Sequence, residues 1–277
     1  MLHAPARWLA DYERDGYLVV EDCLDPAARA TLRRAVERIT ADPDHLPPRL
    51  KQFLDFERDY VARNPHYNEL APPQVGNALR NIMELPLFEP ALADLILYPP
   101  LLDVLETLFG TPEFHFHNYK CIVRAPRVSS RFCWHRDWPY LVHTSPNLLT
   151  AMLCLDDMTA ENGATVVLPG THRIAPEDVP LTDTDMPPER LPDVPHVMVT
   201  CPAGSAVLFH VCIIHGGGPN RSAAPRRNVI GIWGGPDTHP ITGDRYAYQG
   251  LMPRSRDPAR QRQVRMTFPH LFEQEKA

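Results

Sequence analysis

The sequence predicts a mainly β domain with flanking helices, built as a β-sandwich or small β-barrel behind a helical first third. Three observations predict it. Up to Gly110 the apolar residues recur at helical spacing, whereas beyond it they fall in short runs of β-formers at regular intervals, bounded by Pro, Gly, Asn or Asp. Those runs do not alternate with helical segments, and no GxGxxG, Walker or G-x-S-x-G element occurs, so nucleotide folds and α/β-hydrolases lose their usual support. The 31 prolines in 277 residues lie between apolar runs rather than in one tract. They predict many turns and no long uninterrupted helix.

Residues 3–14 read as a short amphipathic helix and GYLVV (16–20) as a brief strand. Asp25-Pro26 supplies an N-cap and a first-turn proline, Leu32, Ala35, Val36 and Ile39 follow at helical spacing, and Asp42-Pro43 ends the pattern. Residues 44–80, mixed and proline-punctuated, read as a lid or substrate-facing excursion. From Pro90 to Phe109 the leucines predict helices broken at Pro99-Pro100. The strand candidates are 114–123, 147–157, 164–170, 194–201, 205–215 and 227–235. Together these give one domain over 1–277: a largely helical part (1–110), a β core (111–235), and a C-terminal loop and tail (236–277) whose 236–255 stretch is a second lid candidate.

Composition narrows the partners. With 44% apolar and 22% charged residues the chain is ordinary for a globular protein, and its −6 charge without a Lys/Arg block argues against a surface for nucleic acid or an anionic membrane. A small-molecule substrate is expected. The six cysteines form no C-x-x-C pair and sit mostly in apolar segments, as buried reduced thiols do. The N-terminal stretch has no apolar h-region, and no run of about 18 apolar residues occurs. A cytoplasmic protein is expected.

The chemistry concentrates in two segments. In RFCWHRDWPYL, His135 and Asp137 are two residues apart, which on an extended chain puts imidazole and carboxylate on one face. Downstream, an apolar run ends in His215 followed by three glycines, which let backbone approach closely. Two histidines and one carboxylate on a β scaffold make a facial triad, the arrangement that leaves open positions on non-haem Fe(II). Positions 210 and 215 differ by five, so parity on one regular strand admits only one of them; His215, at the glycine turn, is preferred and His210 is read as a core histidine. The same three ligands could also hold zinc in a hydrolase, and a non-catalytic small-molecule-binding barrel is the remaining alternative. Trp134, Trp138 and Tyr140 flank the metal segment as an aromatic rim for a substrate or as ordinary β-core side chains. His115, His117 and His172 read as surface or hydrogen-bonded histidines.

Four stretches in this order, DGYLVVEDCLDPAARATLR, WHRDWPY, LDDMTAENGATVVLPGTHR and PAGSAVLFHVCIIHGGGPNRSAAPRRNV, resemble the phytanoyl-CoA dioxygenase-like Fe(II)/2-oxoglutarate oxygenases. The resemblance covers roughly residues 15–40 and 114–235. It implies a double-stranded β-helix (jelly roll, cupin-like) core, with His135, Asp137 and His215 as iron ligands and Arg226, eleven positions after the distal histidine, holding the distal carboxylate of 2-oxoglutarate. A guanidinium fork suits that task. Arg227 should face the other way and Arg221 belongs to the turn. Lys120 and Asn118, on one face of the preceding strand, are candidates for cosubstrate or substrate contacts, and Met152 stands where relatives carry an aromatic residue near the cosubstrate. Gly217 replaces the serine that many relatives carry. The implied reaction consumes 2-oxoglutarate and O2, releases succinate and CO2, and oxidises a C–H bond of a secondary metabolite or amino-acid-derived compound. Because related halogenases lack the carboxylate, retained Asp137 implies hydroxylation, desaturation or ring closure.

Overall fold

Helix starts follow the chemistry expected of them. In the computed structural model, which describes residues 5–175, 178–180 and 182–276, helix α1 (Pro5–Asp15) leads into strand β1 (Tyr17–Val20). Helix α2 (Pro26–Ala41) opens on the Asp25 carboxylate, which accepts from the N–H groups of Ala27 at 2.9 Å and Ala28 at 2.8 Å. Leu32, Ala35, Val36 and Ile39 form its buried stripe. The 44–80 segment folds into short pieces: α3 (Pro48–Lys51), β2 (Leu54–Phe56), α4 (Glu57–Arg63), α5 (Pro72–Val75) and β3 (Leu79–Ile82). Helices α6 (Pro90–Asp94) and α7 (Pro99–Phe109) are separated at the expected proline, and Gly110 ends α7 in the left-handed region, φ 67°.

The strands that follow are β4 (His115–Arg124), β5 (Phe132–His135), β6 (Leu148–Cys154), β7 (Thr165–Leu168), β8 (Val197–Met198), β9 (Ala206–His210), β10 (Ile214–Gly217) and β11 (Arg226–Gly234). One turn of helix, α8 (Trp138–Leu141), follows β5, and α9 (Pro258–Thr267) lies near the C-terminus. Among the described residues the strands form two antiparallel sheets, ordered β1-β9-β6-β11-β4-β3-β2 and β5-β10-β7-β8. From β4 to β11 the chain changes sheet at every connection except β7 to β8. That is the winding of a jelly roll, as expected, with β1, β2 and β3 extending the larger sheet.

The larger sheet is covered on both faces. Alternate residues such as Tyr119, Cys121, Val229 and Trp233 join a helix-side core that runs from Trp8 through Val36, Leu92 and Leu105 to Phe268. The opposite face turns into the barrel, where Met152, Val167, Phe209 and Ile230 pack together. Double burial explains why these strands read as continuous apolar runs rather than alternating ones.

Two expectations need correction. Residues 205–215 are not one strand: β9 and β10 lie in different sheets, joined by a turn in which Ile213 N–H donates to His210 O at 2.9 Å. Val211, Cys212 and Ile213 are themselves buried, so hydropathy carries no break there. Strands β2, β3 and β5, none of them among the strand candidates, are short and mixed in polarity.

Candidate metal centre

His135 ends β5 and stands directly opposite His215 on β10 in the antiparallel register, with ring centroids 4.1 Å apart. Asp137 lies past the strand, in helical backbone (φ −74°, ψ −30°) at the start of α8. The corner between strand and turn therefore aims its carboxylate, not the extended chain from which the same-face expectation came. His135 Nε2 and His215 Nε2 lie 3.8 and 3.9 Å from Asp137 Oδ1. Among the described residues, these three form the one group of His, Cys, Asp or Glu side chains whose ligand atoms converge within 4.8 Å.

Each histidine is fixed from behind. Nδ1 of His135 donates to Cys133 O at 2.8 Å and Nδ1 of His215 to Ile213 O at 3.1 Å; a carbonyl only accepts, so the Nε2 lone pairs face the centre. Thr150 Oγ1 donates to Asp137 Oδ2 at 2.6 Å, which leaves Oδ1 for an ion. Burial, then the neighbouring His215, pushes the His135 imidazole down to about 3, and burial lowers His215 as well. Burial alone would raise the Asp137 carboxyl, but His215, Lys120, His135 and the Thr150 bond outweigh it and hold it below the usual carboxylate range. At neutral pH the set is two neutral imidazoles and a carboxylate, ready for a cation without losing protons. His210 is elsewhere: its Nδ1 accepts from Cys212 N at 3.1 Å. The parity rule does not apply across two strands, although the residue it favoured is the one that converges.

Two cavities meet at this group. The inner one runs between the sheets past Lys120, Met152, Phe209 and Asn228 to Arg226. Arg226 is held by Asn162 O at 3.2 Å and Gly163 O at 2.9 Å, and burial lowers its guanidinium to about 10, still charged at neutral pH. The outer cleft, about 600 Å³, is walled by Tyr60 and Arg63 of α4, Asn118, Phe132, Tyr140 and Tyr246. Lys120, Phe132, His135 and Asp137 border both.

Tyr140 lies on the rim, edge-on to His135, and donates to Thr184 O at 2.9 Å. Asn118 faces the cleft with its Oδ1 buried and unpartnered. Both lid candidates reach the cleft, 44–80 through Tyr60 and Arg63 and 236–255 through Tyr246. The two tryptophans do not join the rim: Trp134 turns to the far side of β5 against His196, Leu168 and Met186, and Trp138 packs with Leu148, Val211 and Ile232. His115 and His117 are buried rather than at the surface, pushed down by burial to about 4 and about 3, and His117 is hydrogen-bonded, its Nδ1 meeting Gln249 Nε2 at 3.2 Å. His172 hydrogen-bonds Glu13 O at 3.2 Å. Arg227 does face the other way, but buried, bonded to Asp156 at 2.7 Å and Glu37 at 2.6 Å; Arg221 pairs with exposed Glu69. Sequence reasoning missed Thr150, whose one signal was a hydroxyl at even spacing from Met152 in an apolar strand, and Phe132.

A jelly roll holding two neutral imidazoles and one carboxylate on one side of an open space, with a buried guanidinium deeper in, fits a mononuclear non-haem iron oxygenase that takes an oxo acid. The sequence model for phytanoyl-CoA dioxygenase (PhyH) matches residues 12–228, and the chain belongs to that family. It is 29% identical over 205 residues to a probable alpha-ketoglutarate-dependent hypophosphite dioxygenase of Stutzerimonas stutzeri, covering 69% of this chain and 71% of that one. It is 26% identical over 249 residues to an ectoine dioxygenase of Sphingopyxis alaskensis, covering 82% and 75%. The crystal structure of EctD from S. alaskensis with bound Fe superposes with a TM-score of 0.66 at 25% identity, over 92% of this chain and 86% of that one. The chain is an Fe(II)- and 2-oxoglutarate-dependent dioxygenase.

Proposed function

We propose that the enzyme hydroxylates an unactivated C–H bond of a small polar organic molecule, amino-acid-derived or a secondary metabolite, and that His135, Asp137 and His215 are its iron ligands. The observation that carries this is the position of the three groups at the junction of two cavities, one ending on a buried guanidinium and the other open and lined by aromatic and amide side chains. Iron, when bound, would supply Lewis acidity and the redox centre through which electrons from 2-oxoglutarate and substrate reach O2. The chain supplies the rest. Carbonyl acceptors at Cys133 and Ile213 fix the histidine tautomers, and Thr150 fixes the carboxylate. Arg226 holds the distal carboxylate of 2-oxoglutarate, Lys120 adds positive charge between the cavities, and Met152, Phe209 and Ile230 keep water from the inner wall. Asn118 and Tyr140 orient the substrate in the outer cleft.

The whole of 1–277 works as one domain in this reading, because a single apolar cluster includes Trp8, Phe116 and Phe268, one from each of its three parts. All six cysteines are free and no described helix is long and apolar enough to cross a membrane, which supports a cytoplasmic enzyme. The test is succinate formation from 2-oxoglutarate by anaerobically Fe(II)-loaded protein, then exposed to O2 with a panel of such substrates. A member of the panel should accelerate it, and Arg226→Ala should raise the 2-oxoglutarate requirement. Absence of any turnover, coupled or uncoupled, would overturn the reading.

A further inference from the structure

Strands β4 and β11 carry an arrangement that the cosubstrate pocket alone does not explain. In their register Lys120 faces Ile230, Ile122 faces Asn228 and Arg124 faces Arg226. The first two pairs line the inner cavity, and strand alternation puts Arg124 next on the same face. Arg124 is fully buried, at 0% exposure. Its Nη2 donates to Gly218 O and its guanidinium lies 4.8 Å from the centre of the Phe132 ring, but its Nε and Nη1 are enclosed without a hydrogen-bond partner and it forms no ion pair among the described residues. Glu57 is already held by Arg80 at 3.2 Å and Ser130 at 2.7 Å. Arg226, too, meets only neutral acceptors.

Like charges directly opposite on a ladder repel, and a buried cation without a counterion is costly. The two guanidiniums are also joined mechanically. Arg124 holds Gly218 O and Arg226 holds Gly163 O, and these two glycines are in such close contact that a Cβ on Gly163 would lie 2.4 Å from Gly218 O. Burial, then Arg226 and Arg80, push the Arg124 guanidinium well below its usual range, as suits a cation lacking its counterion.

We propose that Arg124 is a positioning residue for cosubstrate selection: facing Arg226 across β4 and β11, it makes the closed end of the inner pocket a two-cation site that favours a dicarboxylic 2-oxo acid over a monocarboxylic one. It acts through the field it adds and through the Gly218–Gly163 contact that seats Arg226, not by touching the cosubstrate. This rests on the inner cavity being the 2-oxoglutarate site.

The test compares 2-oxoglutarate with 2-oxopentanoate, the same five-carbon skeleton with a methyl in place of the distal carboxylate, binding to Mn(II)-loaded protein by anaerobic calorimetry. Arg124→Gln, which keeps a donor for Gly218 O, should weaken 2-oxoglutarate tenfold or more and leave 2-oxopentanoate and Mn(II) unchanged; Arg124→Lys should keep most of the preference. The ligand-free Gln variant should melt no lower than wild type. An unchanged preference in the Gln variant, equal loss of both oxo acids, or failure of both variants to fold would overturn the proposal. Wild type is the control: no preference there would defeat the pocket reading, and the proposal with it, whereas a wild-type preference retained in the Gln variant defeats the proposal alone.

Discussion

With Asp137 as a ligand, as proposed, one hydroxyl decides which of its oxygens would face the ion. The 2.6 Å bond from Thr150 occupies Oδ2, and without it the carboxylate can rotate or take up both oxygens. Thr150→Val should therefore lower Fe(II) or Mn(II) affinity roughly 10- to 100-fold, as lost outer-shell bonds do, while Thr150→Ser restores it; metal titration by calorimetry reads the difference. In the same assay His215→Ala should lose the metal and His210→Ala keep it, since His210 is committed to Cys212 N at 3.1 Å on the other side of the turn. At this scale the proposed ligand group was legible only from two signals together, since an H-x-D is weak alone and gains weight from the histidine before three glycines downstream. Thr150 was not, because a threonine in NLLTAMLC is equally an ordinary strand former. Trp134 and Trp138 misled because composition beside a ligand does not reveal which side of a strand or corner a ring takes.

Strands were legible where apolar runs end at turn residues, and illegible where the chain changes sheets while staying buried. Residues 205–215 show this: the crossover at 211–213 contributes to the core, so nothing in its hydropathy marks it. The glycines around the inner pocket are easier to rank once their surroundings are known. Gly163 has φ 78° and its absent Cβ would meet Gly218 O at 2.4 Å, so Gly163→Ala should cost about 1–3 kcal/mol and loosen Arg226, seen as a lower melting temperature and weaker 2-oxoglutarate binding. Gly217 differs. A Cβ there would sit 3.5 Å from Ala164 O, an ordinary contact, so Gly217→Ser should fold like wild type and bind 2-oxoglutarate at least as well. A drop in its melting temperature would contradict that.

Acid sensitivity belongs to the whole molecule. His115 and His117 are buried and neutral, lowered by burial from an ordinary 6.5 to about 4 and about 3. Between those values and 6.5 the unfolded chain binds more protons than the folded one, so stability is full above pH 6.5 and is lost as pH falls below it, at up to ~1.4 kcal/mol per pH unit for each group. Urea melts at pH 7.5, 6.5 and 5.5 should show little change over the first interval and a clear drop over the second. The sequence disclosed thirteen histidines but not their depth, because FHFHNYK alternates as a half-exposed strand would, whereas the larger sheet is covered on both faces. The β-rich class was legible before any motif was considered, while the exact winding needed the pairing of strands far apart in sequence.

Among the described residues the smaller sheet ends at β5, which meets β10 in register only at Phe132 and His135 and has on its outer side a single bridge from Trp134 to Met186. A metal held by His135 and His215, as proposed, would thus be a clasp across that short ladder as well as a reaction centre. Loading should slow amide hydrogen exchange in β5 far more than in β6, whose neighbours hold it on both sides. Equal protection of both strands with and without metal would show that the clasp does nothing. If it closes as expected, the wall of the substrate cleft becomes firm only once the ion is in place, and a substrate meets a finished surface only in protein already equipped to oxidise it.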